Sequence, residues 1–255
     1  LGFDGNCYST NQYKELLKIS NKNKFNIEMK YDLLNEVWDN RPKLPQDKIF
    51  IHEEKYCGKS AGEKIKEVRG YMKENEADAY LLTSLDDIAW LFNIRGNDIL
   101  FNPVVLSYAI ITENEAKLYI DKNKIIDEVR EKLEKEEVSI FNYNEIEEAV
   151  KVIKGTVLID CAKVNARLYS LLSCEIKEKA NITTELKAIK NEVELLNLEN
   201  CHIKDGIAMV RFIKYLRNAI GKEKITEISA SEKLSNLRSK MKLAMGDSFE
   251  TIAGY

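Results

Sequence analysis

Residues 79–98 read AYLLTSLDDIAWLFNIRGND. Residues 79–83 read as a strand, and residues 86–92 predict a short helix. Gly96-Asn97-Asp98 then turns the chain. A strand running straight into a helix is the unit from which layered α/β folds are built.

The alternation continues on both sides. Ser60 with Glu63 makes a capping box, which predicts a helix to about Asn75. Residues 104–111 and 117–120 read as strands joined around Glu113-Asn114-Glu115, a hairpin signal. A helix (125–135), a strand (138–141), a helix (145–154) stopped by Gly155, a strand (157–160) and a short helix (166–172) follow. The expected fold class for residues 46–190 is therefore α/β, a mixed β-sheet flanked by helices. Residues 1–45 read as a strand (1–4), a helix (12–19), a short strand (25–28) and a helix ending at Trp38. Residues 40–47, NRPKLPQD, hold two of the chain's three prolines and predict a linker.

At Asn191 the pattern changes. Ile203, Ile207, Val210, Ile213, Leu216 and Ile220 recur at steps of three and four, the apolar stripe of a long helix stopped at Gly221. A second helix is expected from Thr226–Ser229, with Ser229 and Glu232 as a capping box. Gly246-Asp247-Ser248 then leads to an expected terminal strand. Two helices and a strand cannot close a core, so residues 191–255 read as the opening of a third domain whose stripe stays exposed unless a partner covers it.

Composition narrows the function. The net charge is −3, from 39 basic and 42 acidic residues, which leaves no electrostatic footprint for nucleic acid. The apolar runs are too short to span a bilayer. Five scattered cysteines without a C-x-x-C pair argue against a disulfide framework or zinc ribbon and for a reducing, cytoplasmic compartment. The opening Leu1-Gly2-Phe3 and the apolar close 249–255 lead us to expect that both ends are cut.

Residue patterns that imitate chemistry each have a plainer reading. The two histidines, His52 and His202, stand far apart and form no H-E-x-x-H or Asp/His cluster. Gly58-Lys59-Ser60 resembles the end of a phosphate loop, but Glu53 stands where the earlier glycine belongs, so Ser60 reads as a helix cap. Cys201 and His202 are neighbours on a helix and point about 100° apart, which rules out a dyad. Asn181-Ile182-Thr183 fits a glycosylation acceptor only in a secreted chain. The segment 84–98, with Asp86, Asp87, Trp90 and Arg95 in fifteen residues, is denser. It could line a pocket rim, or Trp90 could be core with Arg95 paired to an acid.

That segment, continued through Asn102-Pro103-Val104-Val105-Leu106-Ser107-Tyr108, resembles the second domain of three-domain Xaa-Pro aminopeptidases of the creatinase/prolidase (pita-bread) superfamily. Lys190-Asn191-Glu192-Val193-Glu194 with His202-Ile203-Lys204-Asp205-Gly206, Thr226–Leu234, and Asp247–Tyr255 resemble the start of the catalytic domain, in the same order. The resemblance implies three parts: 1–45 as the tail of a first creatinase-like domain, 46–190 as a second, and 191–255 as the truncated opening of a pita-bread α+β catalytic domain. It implies an enzyme that removes the first residue from peptides with proline second, as a cytoplasmic homodimer. It implies two divalent metals, manganese by preference, on Asp, His and Glu residues beyond Tyr255. No catalytic residue and no metal ligand is then expected in this chain, which is expected to be inactive alone. Phe249 matches a position lining the proline pocket, and Trp90 and Arg95 of the matched motif are candidate substrate-binding residues. The alternatives are a non-catalytic creatinase-like module for dimerisation or substrate access, and a proline dipeptidase relative.

Overall fold

The computed structural model describes residues 1–254. Its elements, in chain order, begin with α1 (Thr10–Asn23), α2 (Leu34–Val37), β1 (Phe50–Ile51), α3 (Glu54–Cys57), α4 (Ala61–Glu74), β2 (Ala79–Leu82), α5 (Leu85–Leu91) and β3 (Ile94–Arg95). β4 (Ser107–Thr112), β5 (Ala116–Ile120), α6 (Asp127–Lys135), β6 (Val138–Asn142), α7 (Ile146–Lys151) and β7 (Thr156–Ile159) follow. α8 (Ala166–Leu171), β8 (Glu175–Glu178), α9 (Ile182–Ala188), α10 (Glu192–Ala219) and α11 (Glu227–Ser239) complete the described elements. Contacts divide the chain into two units: Leu1–Glu54, Lys59–Asp98 and Val104–Ile189 form one, and Lys55–Gly58, Ile99–Pro103 and the chain from Lys190 form the other.

In the larger unit the strands run in the order β6-β5-β4-β2-β7-β8. β2–β4 and β4–β5 are antiparallel, while β2–β7, β5–β6 and β7–β8 are parallel, so the sheet is mixed. Alternate side chains of a strand point to opposite faces, and both faces are covered here. Tyr80 and Leu82 join Ile65, Val68 and Met72 of α4 and Val129 and Leu133 of α6 in one apolar cluster. Ala79 and Leu81 join Ile146 and Val150 of α7 and Leu168 of α8 in another. The Ser60–Glu63 capping box forms in both directions and starts α4.

Boundaries shift where local hydrogen bonds outcompete pattern. Residues 1–4 and 25–28 make only a bridge, Gly2 to Glu28, because Asp4 caps a 3-10 turn at Gly5–Cys7 and ends any ladder. β4 begins at Ser107 and not at Val104, since the Leu106 amide is spent on Asp98 Oδ2 at 2.7 Å. The helix expected from residue 125 begins at Asp127, after Asp121 caps a separate 3-10 turn at Lys122–Lys124. α7 stops at Lys151. β8 and α9 escape sequence reading because each is short and charged.

In the smaller unit α10 opens on a capping box between Asn191 and Glu194 and packs on α11. The cap of α11 is Thr226 with Ser229, whose side chains each bond the other's backbone amide, and not Ser229 with Glu232. The α10–α11 contact buries Ala208, Ala219 and Leu234 and carries the Arg238–Asp205 ion pair at 2.7 Å. Small side chains let two helix axes approach closely. The stripe Ile203, Ile207, Val210, Ile213 lies on the other side of α10 and is exposed, with Val210 at 68%. Residues 246–254 form no strand, for no partner strand pairs with them among the described residues. Tyr255, the last residue of that expected strand, lies outside the described residues.

Gly155 enters β7 with φ +70°, and a Cβ there would land on the Asp78 carboxylate, which accepts the Thr156 amide at 2.8 Å. Gly155→Ala is expected to lower stability by about 1–3 kcal/mol, from the left-handed backbone and the displaced carboxylate. Urea unfolding measures it, and an unchanged midpoint contradicts this account of the turn.

Candidate functional site

The imitations of chemistry resolve into structure. Ser60 Oγ accepts the Glu63 amide at 3.2 Å, and Lys59 pairs with Glu67 at 2.5 Å, so the Gly58-Lys59-Ser60 run is a helix start. Asn181 is buried, its amide donating to Ser84 Oγ and Asp87 Oδ2 at 3.1 and 3.2 Å, which leaves no glycosylation acceptor. His202 Nδ1 lies 2.8 Å from Leu198 O, within its own helix, while nearby Asp205 is held by Arg238. Among the described residues, no group of three or more His, Cys, Asp or Glu side chains could hold a metal ion.

Segment 84–98 is organised by three side-chain clusters in the larger unit. At its start, buried Asp87 accepts from Thr184 Oγ1 at 2.9 Å and pairs with Lys187 at 2.9 Å, and Asp86 also pairs with Lys187. These bonds fasten α5 to α9. At its end, Asp98 pairs with Lys124 at 2.5 Å, both side chains being almost fully buried.

The third cluster holds the candidate residues. α5 ends at Leu91, and Asn93 follows in the left-handed conformation at φ +53°, which Asn tolerates better than most residues. The Asn93 amide donates to Lys59 O at 2.8 Å, and its Oδ1 accepts Lys64 Nζ at 2.6 Å. Lys64 Nζ also donates to Trp90 O at 2.8 Å and lies 4.5 Å from the centre of the Trp90 ring, a cation–π contact. Lys64 is 1% exposed and Trp90 8%, and the Trp90 Nε1–H has no hydrogen-bond partner among the described residues. Half-buried Arg95 donates through one guanidinium nitrogen to Ala89 O at 2.7 Å and Ile94 O at 2.9 Å. Ala89 O belongs to the last turn of α5, where a cation is favoured by the helix dipole.

β1 and β3 pair antiparallel, Phe50 with Arg95 and Ile51 with Ile94, and the His52 amide donates to Asn93 O at 2.7 Å. That pairing brings the His52 ring into the field of Arg95 and Lys64. Burial first, then these two cations, push its pKa down to about 4 against a weaker opposing pull from Glu53. The structure thus gathers Trp90 and Arg95, which the sequence singled out, with His52, Lys64 and Asn93. Trp90 is mainly core, and Arg95 is anchored to backbone carbonyls as well as set toward the surface. Phe249 belongs to the smaller unit and is 61% exposed. Lys64 and Asn93 were missed, although a signal existed: Lys64 interrupts the apolar stripe Ala61, Ile65, Val68, Met72 of α4. The cluster brings two cations, Lys64 and Arg95, together with one aromatic ring, whose face Lys64 occupies.

Comparison with known proteins places this geometry. A family model described as the Creatinase/Prolidase N-terminal domain matches residues 40–194. A probable Xaa-Pro aminopeptidase P of Sordaria macrospora is 35% identical over 238 residues, covering 87% of this chain and 39% of that protein. Its counterpart from Ajellomyces dermatitidis is 33% identical over 99% of this chain and 44% of its own length. The chain therefore spans about two fifths of these relatives. A crystal structure of X-prolyl aminopeptidase from Caenorhabditis elegans, described as a cytosolic enzyme with a di-nuclear active site, superposes with TM-score 0.92 over 99% of this chain and 43% of its own, at 26% identity. The Xaa-Pro dipeptidase of Bacillus anthracis shares the fold over 70% of this chain and 48% of its own, with TM-score 0.54 at 18% identity.

His52 sets a pH dependence. Its folded pKa lies below the ordinary value of 6.5, so between about 4 and 6.5 the unfolded chain binds the proton more tightly. The stabilisation is full above pH 6.5 and is lost as pH falls toward 4. His52→Gln is expected to remove this component, so the urea midpoints of variant and parent should converge or cross between pH 7 and 4.5. Parallel pH profiles would rule the assignment out.

Proposed function

Because the chain belongs to the creatinase/prolidase N-terminal domain family, we propose that it is part of a metal-dependent Xaa-Pro aminopeptidase that removes the first residue from peptides with proline second. The observation that carries this reading is the match to the Caenorhabditis elegans enzyme along almost the whole chain. The relatives at 35% and 33% identity are likewise described as probable Xaa-Pro aminopeptidases P, which supports the aminopeptidase branch.

In this reading residues 46–190 are a creatinase-like domain that shapes access to the active site, 1–45 the tail of a preceding domain, and 191–255 the opening of the catalytic domain. The enzyme is a cytoplasmic homodimer with two divalent ions, manganese by preference. Bound, such ions polarise a peptide carbonyl and activate water. The described residues do not fit that centre, since they offer no cluster of metal-binding side chains. The ligands are assigned to residues outside this chain, and no step of the reaction is assigned to its residues. Trp90, Arg95 and Phe249 are the substrate-contacting candidates.

With manganese and an X-Pro peptide, the 255-residue chain is expected to release no amino acid, while a longer protein carrying it does. Turnover by the 255-residue chain would refute the placement of the metal ligands. Absence of turnover in the longer protein would favour a non-catalytic access or dimerisation module.

A further inference from the structure

Lys64 has a role that its surroundings do not require for packing. It projects from α4 among Ile65, Val68 and Met72, where a methionine would fill the space without desolvating a charge. The contacts it makes with segment 90–93 concentrate on one turn. The ammonium donates to Trp90 O and Asn93 Oδ1 and stands over the Trp90 ring. Asn93 is the left-handed residue that converts α5 into β3, and its amide is tied in turn to Lys59 O. Arg95, two residues on, reaches back to Ala89 O in the same helix turn. The path from Lys64 to Arg95 is thus short: ammonium, Asn93 side chain, one turn of backbone, guanidinium.

We propose that Lys64 is a positioning residue of the substrate site, locking the α5–β3 turn from behind so that Trp90 and Arg95 keep one orientation toward the peptide. The proposal rests on the reading of Trp90 and Arg95 as substrate-contacting residues. Lys64 is too deeply buried to touch substrate itself. It acts through Asn93 and the Trp90 ring, and its loss should weaken binding more than it slows chemistry.

The test uses the active full-length enzyme with an X-Pro peptide and manganese. Lys64→Met is expected to raise KM roughly tenfold with kcat within about twofold, because a turn that loses its lock misplaces the side chains it carries. Asn93→Gly keeps the left-handed turn but removes the acceptor for Lys64, and is expected to give the same KM rise should Lys64→Met fold poorly. In the 255-residue chain with Trp38→Phe, Trp90 is the one tryptophan left, and its emission should shift in Lys64→Met as the ring loses its cation. Wild-type KM in a folded Lys64→Met or Asn93→Gly variant overturns the proposal. If Arg95→Gln and Trp90→Phe also leave KM unchanged, the reading of the site itself has failed. If those two raise KM and the Lys64 and Asn93 variants do not, only the positioning role falls.

Discussion

Strand β2 runs in the middle of the larger unit with both faces covered, antiparallel to β4 on one side and parallel to β7 on the other. All four of its residues are buried. A strand so placed must pair its backbone inside the sheet, since water cannot reach it. This constraint fixes where the chain leaves the sheet. β2 ends at Leu82, Ser84 starts α5, and the whole segment from Asp87 to Asp98 is delivered at one end of the sheet. The candidate side chains inherit their position from that exit.

What holds the segment there is charge inside the protein. Asp87 with Lys187, Asp98 with Lys124, and Lys64 on Trp90 and Asn93 secure its start, end and middle. Exposed pairs such as Lys18–Glu15 contribute about 0–1 kcal/mol each and decide nothing about this geometry. Buried pairs differ in kind. Breaking one by removing a partner costs about 3–5 kcal/mol, while replacing both partners by apolar groups is often neutral. Their net contribution to stability is therefore small, and their effect on which arrangement forms is large. Asp98–Lys124 is such a buried pair, Asp87–Lys187 is a partly buried one, and Lys64 is a buried cation held by neutral oxygens, so the segment depends on polar groups as well as on apolar burial.

Much of this was legible in the sequence. Period-two and period-3.6 runs locate most strands and helices, and the Ser60–Glu63 box locates the start of α4, because those signals are local. Trp90 and Arg95 stand out because their segment is chemically dense. Long-range pairings were not legible. That Asn181 reaches Asp87 and that β1 returns to pair with β3 depend on residues tens of positions apart. Lys64 was hidden for the same reason: a lysine in an apolar stripe reads as a solvated edge until its partners at Trp90 and Asn93 are seen. On α10 the largest apolar residues drew attention to one face. The packed face runs through Ala208 and Ala219, where small size is the signal.

That last contrast bears on what the chain contributes. Burying a Val, Leu or Ile side chain yields about 1.5–3 kcal/mol, and α10 presents Ile203, Ile207, Val210 and Ile213 to solvent. The opposite face joins it to α11, through Ala208, Ala219 and Leu234, the Arg238–Asp205 ion pair and Lys233 over the Tyr215 ring. The helix thus keeps its larger apolar face unspent. Segment 84–98 has the opposite character: Asp87 and Asp98 are buried and bonded, as is Lys64 against its middle, while Arg95 and the neighbouring His52 are half open. On the proposed reading of Arg95 and Trp90 as substrate-contacting residues, sensitivity to mutation should concentrate on the groups that fix the α5–β3 turn, with little contribution from exposed charge pairs.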